Sequence, residues 1–323
     1  MLLAALLAGT ASLAATVKQN EGLKAGREDY DKSDYAKAVQ ELQAAAAREP
    51  QNGEIELLLT KSYMELGEHD AAIASAERAV TIDPQSSVYH LWLGKAYGEK
   101  ADHSSMFSAL GLARKTRKEF QTAVQLDDRN YSARQALIEY DCSAPSIVGG
   151  GEDKAQPEIA KLESMDASEW HYAKGNCRRQ KKDFAEADAE FQMALQSHPN
   201  SADLIYDIGD YAVKRGEAEQ LMEVAELGER AAPSDPRGLF YRAVGLILKN
   251  EKPRQAERDL REYLASAPKR NGYPRDSAAH KWMARLYEGL GERENAVNEY
   301  QAALQLDPKD KNAREALKRL HRD

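Results

Sequence analysis

A glycine-rich run is the segment of this 323-residue chain whose composition comes nearest to a catalytic loop. Residues 149–154 have the sequence GGGEDK, which could place backbone N–H groups around a phosphate. A phosphate-binding loop follows a strand and ends in Gly-Lys-Ser or Gly-Lys-Thr, which hold the phosphates and magnesium, and this run has neither feature. We therefore interpret residues 149–154 as a turn between helices.

Four oxygen-bearing side chains fit the spacing of a calcium loop. They stand at positions one, three, five and twelve and are Asp128, Asn130, Ser132 and Glu139. Position six, which needs glycine for a sharp turn, is Ala133 instead. The helical pattern of the chain also continues through residues 132–139, so we predict no calcium site.

The seven histidines offer no metal-binding pair, because no two of them are three or four residues apart, as two ligands on one helix face would be. The sequence also contains no Gly-x-Ser-x-Gly elbow and no His-Glu-x-x-His motif. A Ser-His-Asp set brought together only by folding stays open. We predict a protein without metal or cofactor that is not an enzyme, and the last point depends on analogy of fold.

Cys142 and Cys177 are the two cysteines of the chain. In an oxidising compartment they could form a disulfide that pins the irregular segment between them, provided that their Cα atoms lie within about 7 Å. The alternative, which we favour, is that both are free and act as small hydrophobic side chains.

Charge and composition narrow the class of partner. The chain has 45 Lys and Arg against 53 Asp and Glu, a formal net charge of −8. A general nucleic-acid binder needs a basic face to displace counterions, so we predict no nucleic-acid partner. With 42% hydrophobic and 30% charged residues, the composition is that of a folded chain.

The N-terminal segment, up to Val17, contains no charged side chain, and the first charge is Lys18. This short apolar stretch ends in small residues, a pattern typical of a secretory signal cleaved near Ala14 or Ala15. An uncleaved membrane anchor is the alternative, but a span requires about 20 apolar residues. We predict a signal peptide over residues 1–15, no membrane span in the mature chain, and export to the bacterial periplasm or cell envelope.

Prolines recur at a regular interval in the rest of the chain. Pro50 is followed by Pro84, and Pro199 by Pro233, and the interval is the same in both cases, about 34 residues. Inside the units an aromatic residue is followed by a glycine and then by spaced small residues. Two examples are Tyr63, Gly67, Ala72 and Ala79, and Tyr287, Gly291, Ala296 and Ala303.

This pattern resembles the tetratricopeptide repeat over most of residues 19–308. The resemblance implies an all-α fold, a right-handed superhelical solenoid of antiparallel helix pairs with about eight repeats and a C-terminal cap helix. Small residues would let two helices approach, glycine would end the first helix of a pair, and proline would stop the second.

Two stretches depart from the period. The third repeat carries about ten extra residues near 98–117, which must extend or interrupt its helix pair. In the fourth, residues 144–157 contain too much Gly and Pro for a helix, and the next helix is predicted over 159–165. Together the two segments resemble those of an exported bacterial subgroup of repeat proteins, whose biochemical role the resemblance does not supply.

The predicted organisation is therefore a signal peptide (1–15), N-terminal repeats (19–143), an irregular loop (144–157), C-terminal repeats (158–308) and a capping helix (309–323).

The resemblance also implies that the first helix of each pair lines a concave groove. At the ninth position of the first three repeats stand Arg27, Lys61 and Lys95, a row of like charges that suits an acidic ligand or a peptide carboxylate. At the fifth position of repeats five to seven stand Tyr172, Tyr206 and Phe240, with Asn176 and Asp210 at the ninth position nearby. Aromatic rings in a groove supply binding energy. A solvated helix face and ordinary packing are the alternative interpretations of the two rows.

These observations predict a non-catalytic scaffold that binds a peptide or protein partner in its groove. The alternative is a structural component that oligomerises through its edges or through the 98–117 insertion. An exposed apolar patch around Met106, Phe107 and Leu110 would support the alternative.

Overall fold

The computed structural model describes residues 21–321, and this part of the chain is helical throughout, with no strand. The helices are α1 (21–31), α2 (Tyr35–Arg48), α3 (Gly53–Glu65), α4 (His69–Ile82), α5 (Ser87–Asp102), α6 (Met106–Leu126), α7 (Tyr131–Ser143), α8 (Glu152–Glu163), α9 (Ala167–Gln180), α10 (Phe184–Gln196), α11 (Ala202–Arg215), α12 (Ala218–Ala231), α13 (Arg237–Lys249), α14 (Pro253–Ser266), α15 (Asp276–Leu290), α16 (Arg293–Leu306) and α17 (Lys311–Leu320).

The helices α1 to α16 form eight successive pairs, and α17 follows the last pair. Short connections make consecutive helices antiparallel neighbours. The predicted all-α solenoid of about eight repeats and a closing helix is confirmed. The predicted signal peptide, residues 1–15, lies outside the described residues.

Glycines end first helices as the sequence predicts. Gly216 after α11 and Gly291 after α15 have φ of +76° and +74°, in the left-handed region that costs glycine little. In both cases the glycine N–H bonds back to carbonyls of the last helical turn. At the other end, Asn52 and Ser201 accept hydrogen bonds from the first N–H groups of α3 and α11.

The chain divides into two compact units. Among the described residues, unit 1 comprises 21–165 together with 176–183, and unit 2 comprises 166–175 together with 184–321. The core of unit 1 is divided into separate clusters, around Leu59, around Leu93 and around Leu137. In unit 2 a large cluster runs from Ala187 to Ala296, through α10 to α16, and a second, smaller one lies around Tyr300.

The predicted insertion near 98–117 lengthens the third helix pair of unit 1 without interrupting it. α5 has 16 residues and α6 has 21, whereas α3 and α4 have 13 and 14. Only residues 103–105 connect the two long helices. The α5–α6 hairpin therefore extends beyond the length of the other pairs of the repeat.

The irregular loop is shorter than the predicted 144–157, and the next helix begins before the predicted residue 159. A 3-10 turn spans Ser146–Val148, and α8 begins at Glu152. Glu152 and Asp153 favour a helix start, because negative charge there interacts well with the helix dipole. Pro157 lies inside α8, where its missing N–H removes one hydrogen bond without ending the helix.

The cysteines form a disulfide, so the preference for two free thiols was wrong. Cys142 on α7 and Cys177 on α9 have Cα atoms 5.3 Å apart, and both belong to unit 1. They are separated by 35 residues, close to one repeat length. Residues one repeat apart stand at equivalent places on neighbouring first helices, which explains why the geometry required of a disulfide is met.

None of the helices within residues 21–321 has both the length and the apolar character that crossing a bilayer demands.

Candidate functional site

The predicted row of cations lies on α1, α3 and α5 of unit 1. Arg27 is exposed and forms a close ion pair with Glu54 on α3. The ammonium groups of Lys61 and Lys95 lie 4.6 Å and 4.7 Å from the centroid of the Trp92 ring. The structure thus joins two of the three predicted cations through a single aromatic side chain.

We call Arg27, Glu54, Lys61, Trp92 and Lys95 the Trp92 patch. Trp92 is half-buried, as are Lys61 and Lys95, while Arg27 and Glu54 are exposed. Attraction between the two ammonium groups and the ring offsets part of the repulsion that the like charges would otherwise feel. The arrangement combines positive charge with a large aromatic surface, which suits a partner that offers both a carboxylate and an apolar group.

Sequence reasoning missed Trp92, although it stands three residues before Lys95 on the same helix. Residues three apart share a helix face, so a search of the faces that carry the cationic row would have found it.

Two of the three members of the predicted aromatic row in unit 2 are buried, as the packing interpretation of this row requires. Tyr206 and Phe240 are 1% and 2% exposed, so their rings belong to the core and not to a groove surface. The Tyr206 ring stacks on Tyr241 with centroids 5.4 Å apart, and the Phe240 ring packs at 5.3 Å against Tyr263.

A glycine explains the burial of Tyr206. Gly228 on α12 lies directly against the ring, and a Cβ at that position would overlap it. The equivalent positions in other second helices hold Ala45, Ala79, Ala194 and Ala303. The smaller glycine lets the tyrosine ring enter between α11 and α12.

The remaining predicted residues of this row are engaged within the fold. Tyr172 is half-buried, and its hydroxyl donates to Asp207 at 2.9 Å. Asn176 is 3% exposed, so it does not line a groove. Asp210 accepts a hydrogen bond from the Tyr241 hydroxyl at 2.8 Å, and burial raises the pKa of the Asp210 carboxyl.

Acidic residues line one face of α11 in unit 2. Asp203, Asp207 and Asp210 follow each other at spacings of four and three residues, which places them along a single face. Asp203 pairs with Arg237 at 2.8 Å. The first-helix face in unit 2 is therefore acidic at α11, whereas the Trp92 patch of unit 1 is basic and aromatic.

Arg237 on α13 contacts several aromatic and acidic side chains of unit 2. Its guanidinium lies 4.4 Å from the ring of Tyr206 and 4.7 Å from that of Tyr273, and it also bonds to Asp235. Burial alone would lower the pKa of Arg237, but its hydrogen bonds to Asp235 and Asp203 raise it above its usual value. These contacts hold the cation in place within the fold.

Three histidines join the two helices of a pair. Each lies on a first helix and approaches a glutamate on the second, in His90 with Glu119 (2.6 Å), His171 with Glu190 (2.7 Å) and His280 with Glu299 (2.6 Å). The separation is 19 residues in the last two pairs and 29 in the first, which contains the insertion. These contacts are a recurrent bond inside the repeat. Within residues 21–321, no three His, Cys, Asp or Glu side chains come together as a metal ion would need.

A cleft of about 760 Å³ lies among α6, α7 and α8 of unit 1. Its charged walls are largely paired, because Arg117 makes two bonds to Asp141, at 2.7 Å and 3.0 Å, and the buried Arg134 pairs with Glu158. Structural ion pairs of this kind hold α6, α7 and α8 together around the cleft.

Comparison with known proteins was consistent with this architecture. Models of the tetratricopeptide repeat match residues 30–96, 171–201 and 277–310. Comparison with curated proteins gives no match.

Several solved structures are similar in fold. The Cut9–Hcn1 hetero-tetramer of APC/C has a TM-score of 0.51 at 14% identity, covering 90% of this chain and 53% of that chain. A tetratricopeptide repeat protein from Parabacteroides merdae has a TM-score of 0.40 at 14% identity, covering 94% and 98%. MamA has a TM-score of 0.42 at 24% identity, covering 55% and 91%.

The helix pairs, their common period and their closing helix define a helical-repeat protein. Residues 30–96, 171–201 and 277–310 are tetratricopeptide repeats, and the remaining helix pairs follow the same arrangement. Proteins of this family generally bind other proteins, which is the function class that the fold supports.

Proposed function

We propose that the protein is a non-catalytic scaffold that binds an acidic peptide or protein segment at the Trp92 patch, on first helices of unit 1. The observation that carries this proposal is the position of the Lys61 and Lys95 ammonium groups, 4.6 Å and 4.7 Å from the centroid of the half-buried Trp92 ring. Tryptophan is enriched among the interface residues that carry most of the binding energy, and cation–π contacts hold the two ammonium groups beside its ring.

The patch is favoured over the aromatic residues of unit 2 on grounds of burial. Tyr206 and Phe240 would have to leave the core to meet a partner, whereas Trp92 retains exposed area. A preformed surface on rigid helices also spares the scaffold the entropic cost of ordering itself, so that the partner alone becomes ordered.

Export to the bacterial periplasm or cell envelope is part of the proposal. The uncharged, apolar residues 1–17 support it, and so does the disulfide between Cys142 and Cys177, since disulfides persist in oxidising compartments. A partner would then be a protein of the same compartment.

The test uses labelled acidic peptides that carry an aromatic residue, with charge-inverted peptides as the reference ligands. Fluorescence polarisation would compare the wild type with Trp92→Ala and with Lys61→Glu/Lys95→Glu. We expect each variant to weaken binding of the acidic peptides by about 30-fold, the loss typical of a central interface residue.

A matched control separates local contact from general charge. Lys32→Glu/Arg129→Glu makes the same change in net charge at exposed residues in connections between helices of unit 1. Equal weakening by this control would show only a long-range charge effect, and unchanged binding in a folded Trp92→Ala variant would move the binding surface away from the patch.

The alternative, an assembly component, is supported by the insertion. Met106 and Phe107 are 77% and 87% exposed, as that hypothesis requires, although Leu110 is half-buried. Size-exclusion chromatography with light scattering distinguishes the two functions, because a concentration-independent monomer contradicts assembly through the insertion.

A further inference from the structure

The end of the α5–α6 hairpin, residues 103–110, presents apolar side chains to solvent. We call it the hairpin tip. Among the exposed large hydrophobic side chains of the described residues, Phe107 and Met106 have the largest exposed fractions, 87% and 77%, ahead of Ile147 at 63%. They are adjacent in sequence at the first turn of the long helix α6. Two large apolar side chains side by side at the end of a protruding hairpin form a binding surface that the fold does not use.

Positive charge accompanies the apolar tip. Residues 98–118 contain five Lys and Arg against two Asp and Glu, a net charge of +3 in a chain whose net charge is −8. Two of these cations pair with carboxylates, Lys100 with Asp70 and Arg117 with Asp141.

Three exposed cations of α6 keep their charge uncompensated in the contacts that the structure shows. They are Arg114, Lys115 and Lys118. Arg114 donates to the carbonyl of Ile147, and the Lys115 ammonium lies 4.8 Å from the centroid of the Tyr97 ring. A carbonyl and an aromatic ring both leave the formal charge in place, so the helix remains basic behind its apolar tip.

The spacing along α6 matches the depth of a lipid interface. With a rise of about 1.5 Å per residue, Arg114 and Lys118 lie about 10 Å and about 16 Å along the helix from Phe107. Peripheral proteins bury apolar side chains about 5–10 Å into the boundary between headgroups and acyl chains. Basic side chains a little further back would then meet the phosphates of anionic lipids.

We propose that the hairpin tip docks on an anionic lipid surface, with Met106 and Phe107 inserted into the interface and Arg114, Lys115 and Lys118 at the headgroups. Charge complementarity favours this occupant over a second copy of the chain, because an isologous contact between two tips would bring the basic stretches of two α6 helices together. This inference is independent of the Trp92 patch.

The test is co-sedimentation of the full chain with vesicles of equal parts phosphatidylglycerol and phosphatidylcholine, or of phosphatidylcholine alone. Met106→Ser/Phe107→Ser should weaken binding to the anionic vesicles by at least about tenfold, since each residue loses its apolar transfer energy. Arg114→Gln/Lys115→Gln/Lys118→Gln should abolish the preference for anionic over zwitterionic vesicles.

A matched control makes the same chemical change elsewhere. Leu290→Ser/Leu306→Ser replaces two exposed leucines of unit 2 and should leave vesicle binding unchanged. Because residues 1–17 are themselves apolar and are present in every variant, the difference between variants is the measured quantity.

A site-specific readout locates the contact. In a Phe107→Trp variant, anionic vesicles containing brominated lipid should quench the added fluorescence, whereas the added fluorescence of Leu306→Trp should not be quenched. Equal binding by the wild type and Met106→Ser/Phe107→Ser, or an unquenched Phe107→Trp, would overturn the proposal. So would a wild-type dimer that Met106→Ser/Phe107→Ser converts to a monomer without any vesicle binding, which would assign the tip to a second copy.

Discussion

Unit 2 stays closer to the regular repeat than unit 1, and the two units also differ in what they bury. In unit 2 the largest apolar cluster runs through α10 to α16, and Tyr206 and Phe240, at the fifth position of their repeats, belong to it. In unit 1 the core is divided, a disulfide joins two first helices, and the third pair protrudes. The more regular repeats therefore bury their aromatic residues in the core, whereas the departures from the period in unit 1 leave large apolar side chains at the surface.

The first-helix faces of the two units also differ in charge. The Trp92 patch of unit 1 carries cations around a half-buried ring. On α11 of unit 2, Asp207 and Asp210 accept hydrogen bonds from tyrosine hydroxyls. The two faces therefore favour different ligands, which makes the binding preference of each unit separately testable.

The largest effect is expected from Tyr206→Ala in unit 2. The ring is 1% exposed and stacks on Tyr241, so its removal leaves a cavity in the continuous core. We expect a loss of about 3–5 kcal/mol in the free energy of unfolding, measured by urea denaturation. A loss below about 1 kcal/mol would place the ring at the surface and restore the groove hypothesis for this residue.

The fate of Tyr206 shows how far sequence reasoning reaches. The spacing of prolines, glycines and alanines was sufficient to predict the helix pairs, because each of these residues acts locally, at a helix end or at a close helix contact. The exposure of Tyr206 depends on the residue opposite, Gly228, and that contact requires two helices to be placed together. The Trp92 patch likewise depends on α1, α3 and α5 lying side by side, which the residues of each helix do not reveal by themselves.

The disulfide and the α5–α6 hairpin also show where prediction from the sequence ends. Cys142 and Cys177 lie one repeat apart, a spacing that predicts proximity on neighbouring first helices, but whether their Cα atoms come within bonding distance depends on the geometry of the stack. The insertion was visible as a break in the period. Whether it would extend the helices or interrupt them depended on helix propensity on both sides of the connection.

A second large effect is expected in unit 1 when the disulfide is removed. For the loop closed by Cys142 and Cys177, the chain-entropy model gives about 3–4 kcal/mol. Cys142→Ser/Cys177→Ser should lower the stability of unit 1, measured as faster hydrogen exchange in α7 and α8, while α13 to α16 of unit 2 stay protected. A melting profile that is unaffected by reductant would contradict this expectation.

A smaller effect, dependent on pH, is expected from Glu190→Gln in unit 2. Burial raises the pKa of the Glu190 carboxyl, but the hydrogen bonds from His171 and Lys174 outweigh it and lower the pKa below its usual value. A carboxyl whose pKa is lower in the folded state stabilises the fold above the unfolded pKa and loses that contribution as pH falls through the folded pKa.

The free energy of unfolding of the wild type should therefore exceed that of Glu190→Gln by about 1–3 kcal/mol at neutral pH. This difference should become smaller as the pH falls. Urea denaturation at a series of pH values measures it. Glu186→Gln on the same helix, an exposed glutamate, is the matched control. A difference that grows as the pH falls would contradict the assigned direction of the pKa shift.

Trp92→Ala in unit 1 should cost less stability than Tyr206→Ala in unit 2, because the indole is only half-buried. We expect about 1–2 kcal/mol by urea denaturation, together with the loss of acidic-peptide binding. A cost equal to that of Tyr206→Ala would place Trp92 in the core and remove the difference between the two first-helix faces.

The smallest effect is expected at the hairpin tip. Met106→Ser/Phe107→Ser should change the free energy of unfolding by no more than about 0.5 kcal/mol, because both side chains are already exposed to water in the folded chain. Urea denaturation measures it, with Leu290→Ser/Leu306→Ser as the control in unit 2. A substantial loss of stability would show that the tip packs against the rest of unit 1. A negligible loss of stability together with weaker vesicle binding would show that the tip binds lipid and is not required by the fold.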